Sequence, residues 1–389
     1  MFFIDEDKST TAFMIRNKNT PATCSTTKNK EISYQEPNNK NVGAIFEVHR
    51  KGTLITMKLL PYPEKPIFQC YHDKAFQVGI IQGNSPKDIT EWVCTKYINC
   101  AFAPQSPMNK FIIMVSDDWG EGEHLVTHQY FRIKKSCLYP FNMDLLHILK
   151  TAIHNNCYIY GSYNERYIPN TWGYNHSDFM HNFLLIGCDR DKFIATGYVA
   201  DGRFRKFEIP NNNMLDGLFA ICGAEIELHM YCYEQGAIPT PHIKNMLEDL
   251  SKYISPTYYL ENPVSDGESR GIATNICLKE FFVDEVAQGK HYIDRRYSRV
   301  LYEHKWVLAQ LVDQFLEEDS EKKKHQEWAN KNLQRAHLVH TLGMKMSYTG
   351  DAKIITRVSD LMDQIIEDES QNIPPLLDVL QNKYSKFLI

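Results

Sequence analysis

The chain has little of what marks a membrane, secreted or nucleic-acid-binding protein. No apolar run approaches the roughly 20 residues a helix needs to cross a bilayer. The opening MFFIDEDKST carries acids where a secretory leader carries a basic region. Positive charge is in deficit, with 43 Lys and Arg against 48 Asp and Glu and a net −5, so a nucleic-acid partner is not expected. Ten cysteines are scattered without one CxxC pair. No Cys/His spacing fits zinc, so free thiols of a reducing compartment and no metal are expected. The glycine-bearing stretches GAEIE (223–227) and GYVADG (197–202) lack a dinucleotide fingerprint. No repeat recurs at a fixed period. A cytoplasmic protein with no membrane attachment is the expectation.

What is present is ordinary globular material: 43% hydrophobic and 23% charged residues over 389 positions, enough for two compact units. With 22 Tyr and 20 Phe, core and cleft should be aromatic. Residues 1–56 are polar, Asn/Thr/Lys-rich and aperiodic, a disorder-prone extension, and Met57 reads like a natural chain start. Helices are expected from near Cys70, over KDITEWVCTKYI and over NMDLLHILKTAIHNN, the last capped by Asn142. Strands are expected at KFIIMVSDDW, HQYFRIKK, CYIYGSYN, HNFLLIGC, KFIATGYV and RFRKFEI, the last four a meander. Beyond Pro239 the spacing turns helical, the last such segment being DAKIITRVSDLMDQIIEDE (351–369). The run EEDSEKKK (317–324) reads as a solvated helix end. The expected plan is α+β over 57–235, with a helical extension over 236–389 that packs on the core.

One constellation offers chemistry. Cys70 stands at an expected helix start, where unpaired N–H groups and the helix dipole favour the thiolate. His181 opens an apolar strand far down the chain. An imidazole within reach of a thiol would take its proton and return it to a leaving group. Cys157 and Cys188, inside strands, read as buried structural thiols. The acidic loop DDWGEGEH (117–124) could bind a metal or an amine but reads first as a solvated turn. His124, His128 and His176 read as surface or structural residues. SYNERYIPNTWGY (162–174), just before the histidine strand, could line a substrate cleft with Tyr163, Tyr167, Trp172 and Tyr174.

The order helix DLLHILKTAIHNNC, strand YIYGSYNERYIP, histidine strand HNFLLIGCD and return strand DKFIATGYVADGRFRKFEI resembles the amino-terminal domain of the butirosin-biosynthesis acyltransferase family. FQCY at 68–71 matches a short cysteine element near the family's start. The resemblance covers about 57–235 and implies a papain-like core (a helix plus an antiparallel sheet), related to bacteriocin-processing cysteine peptidases. It implies that Cys70 accepts an acyl group from a phosphopantetheinyl acyl or peptidyl carrier protein. An amine would then receive that group, in antibiotic-type metabolism, with His181 as base and acid and no other cofactor. A hydrolase of the same fold (peptidase or thioesterase) and a catalytically silent binding protein are the alternatives. The chain departs from the pattern twice. The return strand reads Ala195-Thr196-Gly197-Tyr198 where an orienting Asp or Asn belongs, leaving Asp189 and Asp201 as substitutes. The oxyanion-hole glutamine is also missing; Glu64 and Gln69 are the nearby polar residues, and the Cys70 backbone N–H is one candidate donor.

Overall fold

The computed structural model describes residues 10–13, 46–49, 57–70, 72–104, 110–114, 125–138, 144–255 and 269–387. Strands β1 (Thr10–Phe13), β2 (Phe46–His49) and β3 (Lys58–Leu59) precede helices α1 (His72–Asn84) and α2 (Thr90–Lys96). Then come β4 (Asn99–Ala103), β5 (Lys110–Met114), β6 (Val126–Lys134), α3 (Lys135–Leu138), α4 (Leu145–His154) and β7 (Cys157–Asn164). The middle of the chain supplies β8 (Met180–Cys188), β9 (Lys192–Tyr198), β10 (Phe204–Pro210), α5 (Asn211–Phe219) and β11 (Glu225–Tyr233). It continues with α6 (Ile243–Ile254), β12 (Ser269–Arg270), α7 (Ala273–Ala287), α8 (Arg295–Phe315), α9 (Ser320–Thr349) and α10 (Ile354–Lys383). The fold is mixed α+β with an antiparallel sheet. No helix among the described residues is long and apolar enough to cross a membrane.

Two compact units result, and both are discontinuous in sequence: residues 1–60 with 129–230, and residues 61–128 with 231–389. The expected 57–235 domain is therefore divided, because residues 61–128 cluster with the later helices and not with the sheet. The aperiodic reading of residues 1–56 needs one amendment, since β1 and β2 pair antiparallel. The rest of that segment, Asn142 and the loop 117–124 lie outside the described residues.

The first unit is organised by a sheet of strand order β10-β9-β8-β7-β11-β6, with β3 added to β8. Strands β7 to β10 form the expected antiparallel meander, with Tyr163 opposite His181 and Leu184 opposite Thr196. Helix α4 forms because Leu145, Leu149, Ala152 and Ile153 fall on one face, which is buried. Its cap is Asp144, which accepts the His147 N–H at 3.1 Å. Lys150, on the same helix, is buried with its ammonium donating to the Arg190 carbonyl at 2.7 Å. Desolvation lowers its pKa. Helix α5 was not legible behind the turn-forming run Pro210-Asn211-Asn212-Asn213. Burial of Met214 and Leu218 on one face overrides that local preference.

The second unit is helical around a small sheet of order β12-β4-β5. Helix α8 is its axis, burying Tyr297, Val300, Leu301, Val307, Leu308, Leu311, Val312 and Phe315. One ion pair lies wholly inside, Lys305 Nζ to Glu369 Oε1 at 2.7 Å with both side chains fully buried. The other Glu369 oxygen accepts from Tyr253 Oη and Asn275 Nδ2, each at 2.8 Å. Such a pair is tolerated only when its remaining oxygens and protons find partners. Helix α10 runs through Pro374 and Pro375, past where the spacing suggested it ended. Burial of Ile373, Leu376, Leu377 and Leu380 holds the helix across the missing backbone donors.

Candidate functional site

His181 lies near the start of β8, in register with Tyr163 of β7. Strand β7 ends at Asn164, whose side chain accepts the Arg166 N–H at 3.1 Å and starts a single 3-10 turn, Glu165–Tyr167. That turn swings Glu165 under the imidazole. His181 Nδ1 and Glu165 Oε1 are 2.5 Å apart, with the glutamate side chain 3% exposed and the histidine 20%. The second carboxylate oxygen accepts the Gly173 N–H at 2.8 Å. A Cβ at Gly173 would come within 2.8 Å of the Glu165 Cβ, so only glycine lets the loop close over this carboxylate. A carboxylate can only accept, so Nδ1 must carry the proton of this bond and Nε2 is the basic nitrogen.

The ring is held from below as well. Phe183, fully buried, meets His181 edge-on at 5.1 Å and stacks on Tyr163 at 5.8 Å. Phe183 fits because residue 197 has no side chain: a Cβ there would meet its ring at 2.6 Å. Exposed aromatic side chains lie next to the histidine. Phe179 lies 5.7 Å from the imidazole and Trp172 meets Phe179 edge-on at 6.4 Å. Their exposures are 48% and 68%, and Tyr174 adds 37%. An exposed aromatic cluster beside a buried carboxylate–imidazole pair is unusual for a surface with packing duties alone.

The orienting carboxylate is therefore Glu165, and neither substitute proposed for that role fills it. Asp189 sits in the turn at the far end of β8, about 25 Å along the strand from His181 at ~3.3 Å per residue. There it accepts the Arg190 N–H at 2.7 Å. Asp201 accepts the Arg203 N–H at 3.0 Å and pairs with Arg205 at 3.4 Å. Of the four aromatics expected in a cleft, Trp172 and Tyr174 are exposed. Tyr167 is half-buried, its carbonyl taking the Asn213 side-chain amide at 2.8 Å. Tyr163 is not a ligand-facing residue: it is fully buried, and desolvation raises its pKa. Phe179 was missed. Its only sequence signal was a large apolar residue one step outside an otherwise alternating strand start. Glu165 was missed because the expected pattern places the orienter after the histidine strand, whereas here it comes from the turn that follows the strand before.

Cys70 belongs to the second unit, just ahead of α1, and is 6% exposed. The backbone N–H groups of Gln69 and Cys70 both donate to the Glu303 carboxylate of α8, Gln69 at 2.8 Å. The Cys70 N–H is thus already engaged and is not an open oxyanion donor. Cys157 and Cys188 are buried as expected, and burial pushes the Cys188 thiol up to about 11. His128 stacks on Tyr231 at 4.9 Å, a packing role. Among the described residues no group of three or more His, Cys, Asp or Glu side chains is placed to hold a metal ion. Compared with known proteins, the chain matches no family model and no curated sequence.

Proposed function

We propose that the chain is a cysteine-dependent acyltransferase with a papain-like core, taking an acyl group from a carrier-protein thioester and delivering it to an amine. The observation that carries this reading is the Glu165–His181 pair, its carboxylate buried and its imidazole partly exposed, next to exposed aromatic rings. A carboxylate removed from water at one ring nitrogen fixes the tautomer and stabilises the imidazolium that forms when the other nitrogen takes a proton. In this reading Cys70 is the nucleophile. Its sulfur, losing its proton to a general base (the role the resemblance implies for His181), attacks the thioester carbonyl carbon, and the tetrahedral oxyanion collapses by expelling the pantetheine sulfur. The imidazolium protonates that leaving thiolate. The amine then attacks the acyl-cysteine, imidazole removes its proton, and the thiol is regenerated. Phe179 and Trp172 favour an aryl or alkyl acyl group over a charged one, since such groups gain most from contact with exposed rings.

The test is an acyl-pantetheine thioester added without acceptor, followed by peptide mass spectrometry. An acyl adduct on Cys70, absent in Cys70→Ala and at least a hundredfold slower in His181→Ala, supports the reading. Addition of amines or water alone then separates transfer from hydrolysis. An adduct on another cysteine, or none, removes this function.

A further inference from the structure

Glu303 is a carboxylate that the chemistry above does not use, yet it costs the fold something to keep. It lies on α8 with 2% of its side chain exposed. Its Oε1 accepts the Gln69 N–H at 2.8 Å and Arg299 Nε at 2.8 Å, and the Cys70 N–H also donates to the carboxylate. Desolvation raises its pKa, while Arg299 and the two backbone donors pull the other way. Arg299 in turn lies over the Tyr302 ring at 5.1 Å. A buried acid one helical turn from its own arginine could satisfy itself along α8. Besides that pairing it reaches across more than 200 residues of sequence to two consecutive amides. Those amides belong to the candidate nucleophile and the residue before it.

We infer that Glu303 is a positioning residue for Cys70, clamping the backbone on which the thiol is carried through the paired N–H groups of Gln69 and Cys70. This rests on the assignment of Cys70 as nucleophile. Two charge-assisted bonds to consecutive amides fix the peptide plane between them, and hence the direction in which the following Cα–Cβ bond leaves the chain. A thiol whose attack angle matters gains from this, because a nucleophile displaced by about 1 Å can lose roughly a hundredfold in rate. The clamp has a second consequence. Because the Cys70 N–H is spent on Glu303, charge developing on an acyl oxygen must be met by other donors.

The experiment follows alkylation of each cysteine in the full chain by iodoacetamide across pH 5–9, read by peptide mass spectrometry. Exposed Cys222 is the internal standard for intrinsic thiol reactivity, and buried Cys94 and Cys100 report unfolding. In the wild type Cys70 should react at least tenfold faster than Cys222 at pH 7. Glu303→Ala should slow Cys70 at least tenfold, although removing a neighbouring negative charge by itself favours the thiolate, with Cys94 and Cys100 still protected. Glu303→Gln, which keeps the side chain's length and an oxygen for these amides, should restore the rate to within threefold. A merely structural carboxylate would leave the ratio to Cys222 unchanged in both variants. Should the alanine variant expose Cys94 and Cys100, Glu303→Asp decides: one methylene too short to reach both amides, it should show the same tenfold loss. If wild-type Cys70 reacts no faster than Cys222, the nucleophile assignment falls and the proposal with it. If wild-type Cys70 is fast but a folded Ala or Asp variant keeps its rate within twofold, the positioning role alone is refuted.

Discussion

Glu165→Gln replaces one oxygen by an amide nitrogen in a site with no spare acceptor. The wild-type carboxylate accepts from two groups, His181 Nδ1 at 2.5 Å and the Gly173 N–H at 2.8 Å. A glutamine has one oxygen for these two donors. The Gly173 N–H belongs to the backbone and cannot change its nature, so the amide oxygen must stay there and the NH₂ must face the imidazole. His181 then has to present Nδ1 as an acceptor, and its proton moves to Nε2, the nitrogen that should take the thiol proton. All hydrogen bonds remain made, so stability should change by less than about 1 kcal/mol. The general base is lost, which is worth roughly 10²–10⁴-fold in rate. The assay is the first-order rate of acyl-cysteine formation from a saturating thioester, alongside a urea midpoint for each protein. A rate within threefold of wild type would refute the reasoning, as would a loss of several kcal/mol in stability, because either means the carboxylate does not set the tautomer. Glu165→Ala is the contrasting case, since it also orphans a buried N–H and should cost about 1–3 kcal/mol.

Four further outcomes are expected. Trp172→Ala and Phe179→Ala should each raise KM for aryl or alkyl acyl thioesters about five- to tenfold, roughly the 1–1.5 kcal/mol of an aromatic contact, without lowering the melting temperature. Lys305→Met should cost about 3–5 kcal/mol in urea denaturation because it strands buried Glu369, and a second change, Glu369→Leu, should recover most of it. His340, whose Nδ1 is 2.9 Å from Ser298 Oγ, has its pKa lowered to about 4 by burial, Arg299, His337 and Arg295. Its folded pKa lies below the unfolded value, so its contribution is complete above about pH 6.5 and is lost as pH falls toward 4. After discounting for its partial exposure, about 2 kcal/mol is at stake, and His340→Gln should flatten that part of a stability–pH curve. A chain starting at Met57 keeps β3 on β8 and should melt at the temperature of the full chain.

The meander was legible because its signal is local. Strands β7 to β10 alternate or run apolar over seven to nine residues between turn residues, and a turn such as Asp189-Arg190-Asp191 admits only one continuation. Strand β11 carries the same signal, with Ile226, Leu228 and Met230 buried at every second position, and could have been read the same way. The C-terminal helices were legible for the analogous reason, except where α10 continues through two prolines. The division of the chain was not legible. Nothing in the pattern of residues 61–128 says that α1 and α2 share a core with helices more than 200 positions later, because amphipathic spacing states which face is buried and never against what.

The two buried carboxylates of the proposed site were illegible for a further reason. Pattern reading assigns acids to the surface, since an isolated buried charge is costly. Glu165 and Glu303 are buried nonetheless, each compensated by donors that adjacency in sequence does not reveal: an imidazole and a loop amide for one, two amides and a guanidinium for the other. What can be read is the conflict itself. Glu165 directly follows a strand in which all but one residue is buried, and Glu303 occupies a position of α8 flanked three residues before by Val300 and four after by Val307. An acid on the apolar face of an element predicts a partner, and a partner that must be a fixed donor predicts a constrained backbone or ring. In this chain one such acid faces the candidate base and the other the backbone of the candidate nucleophile.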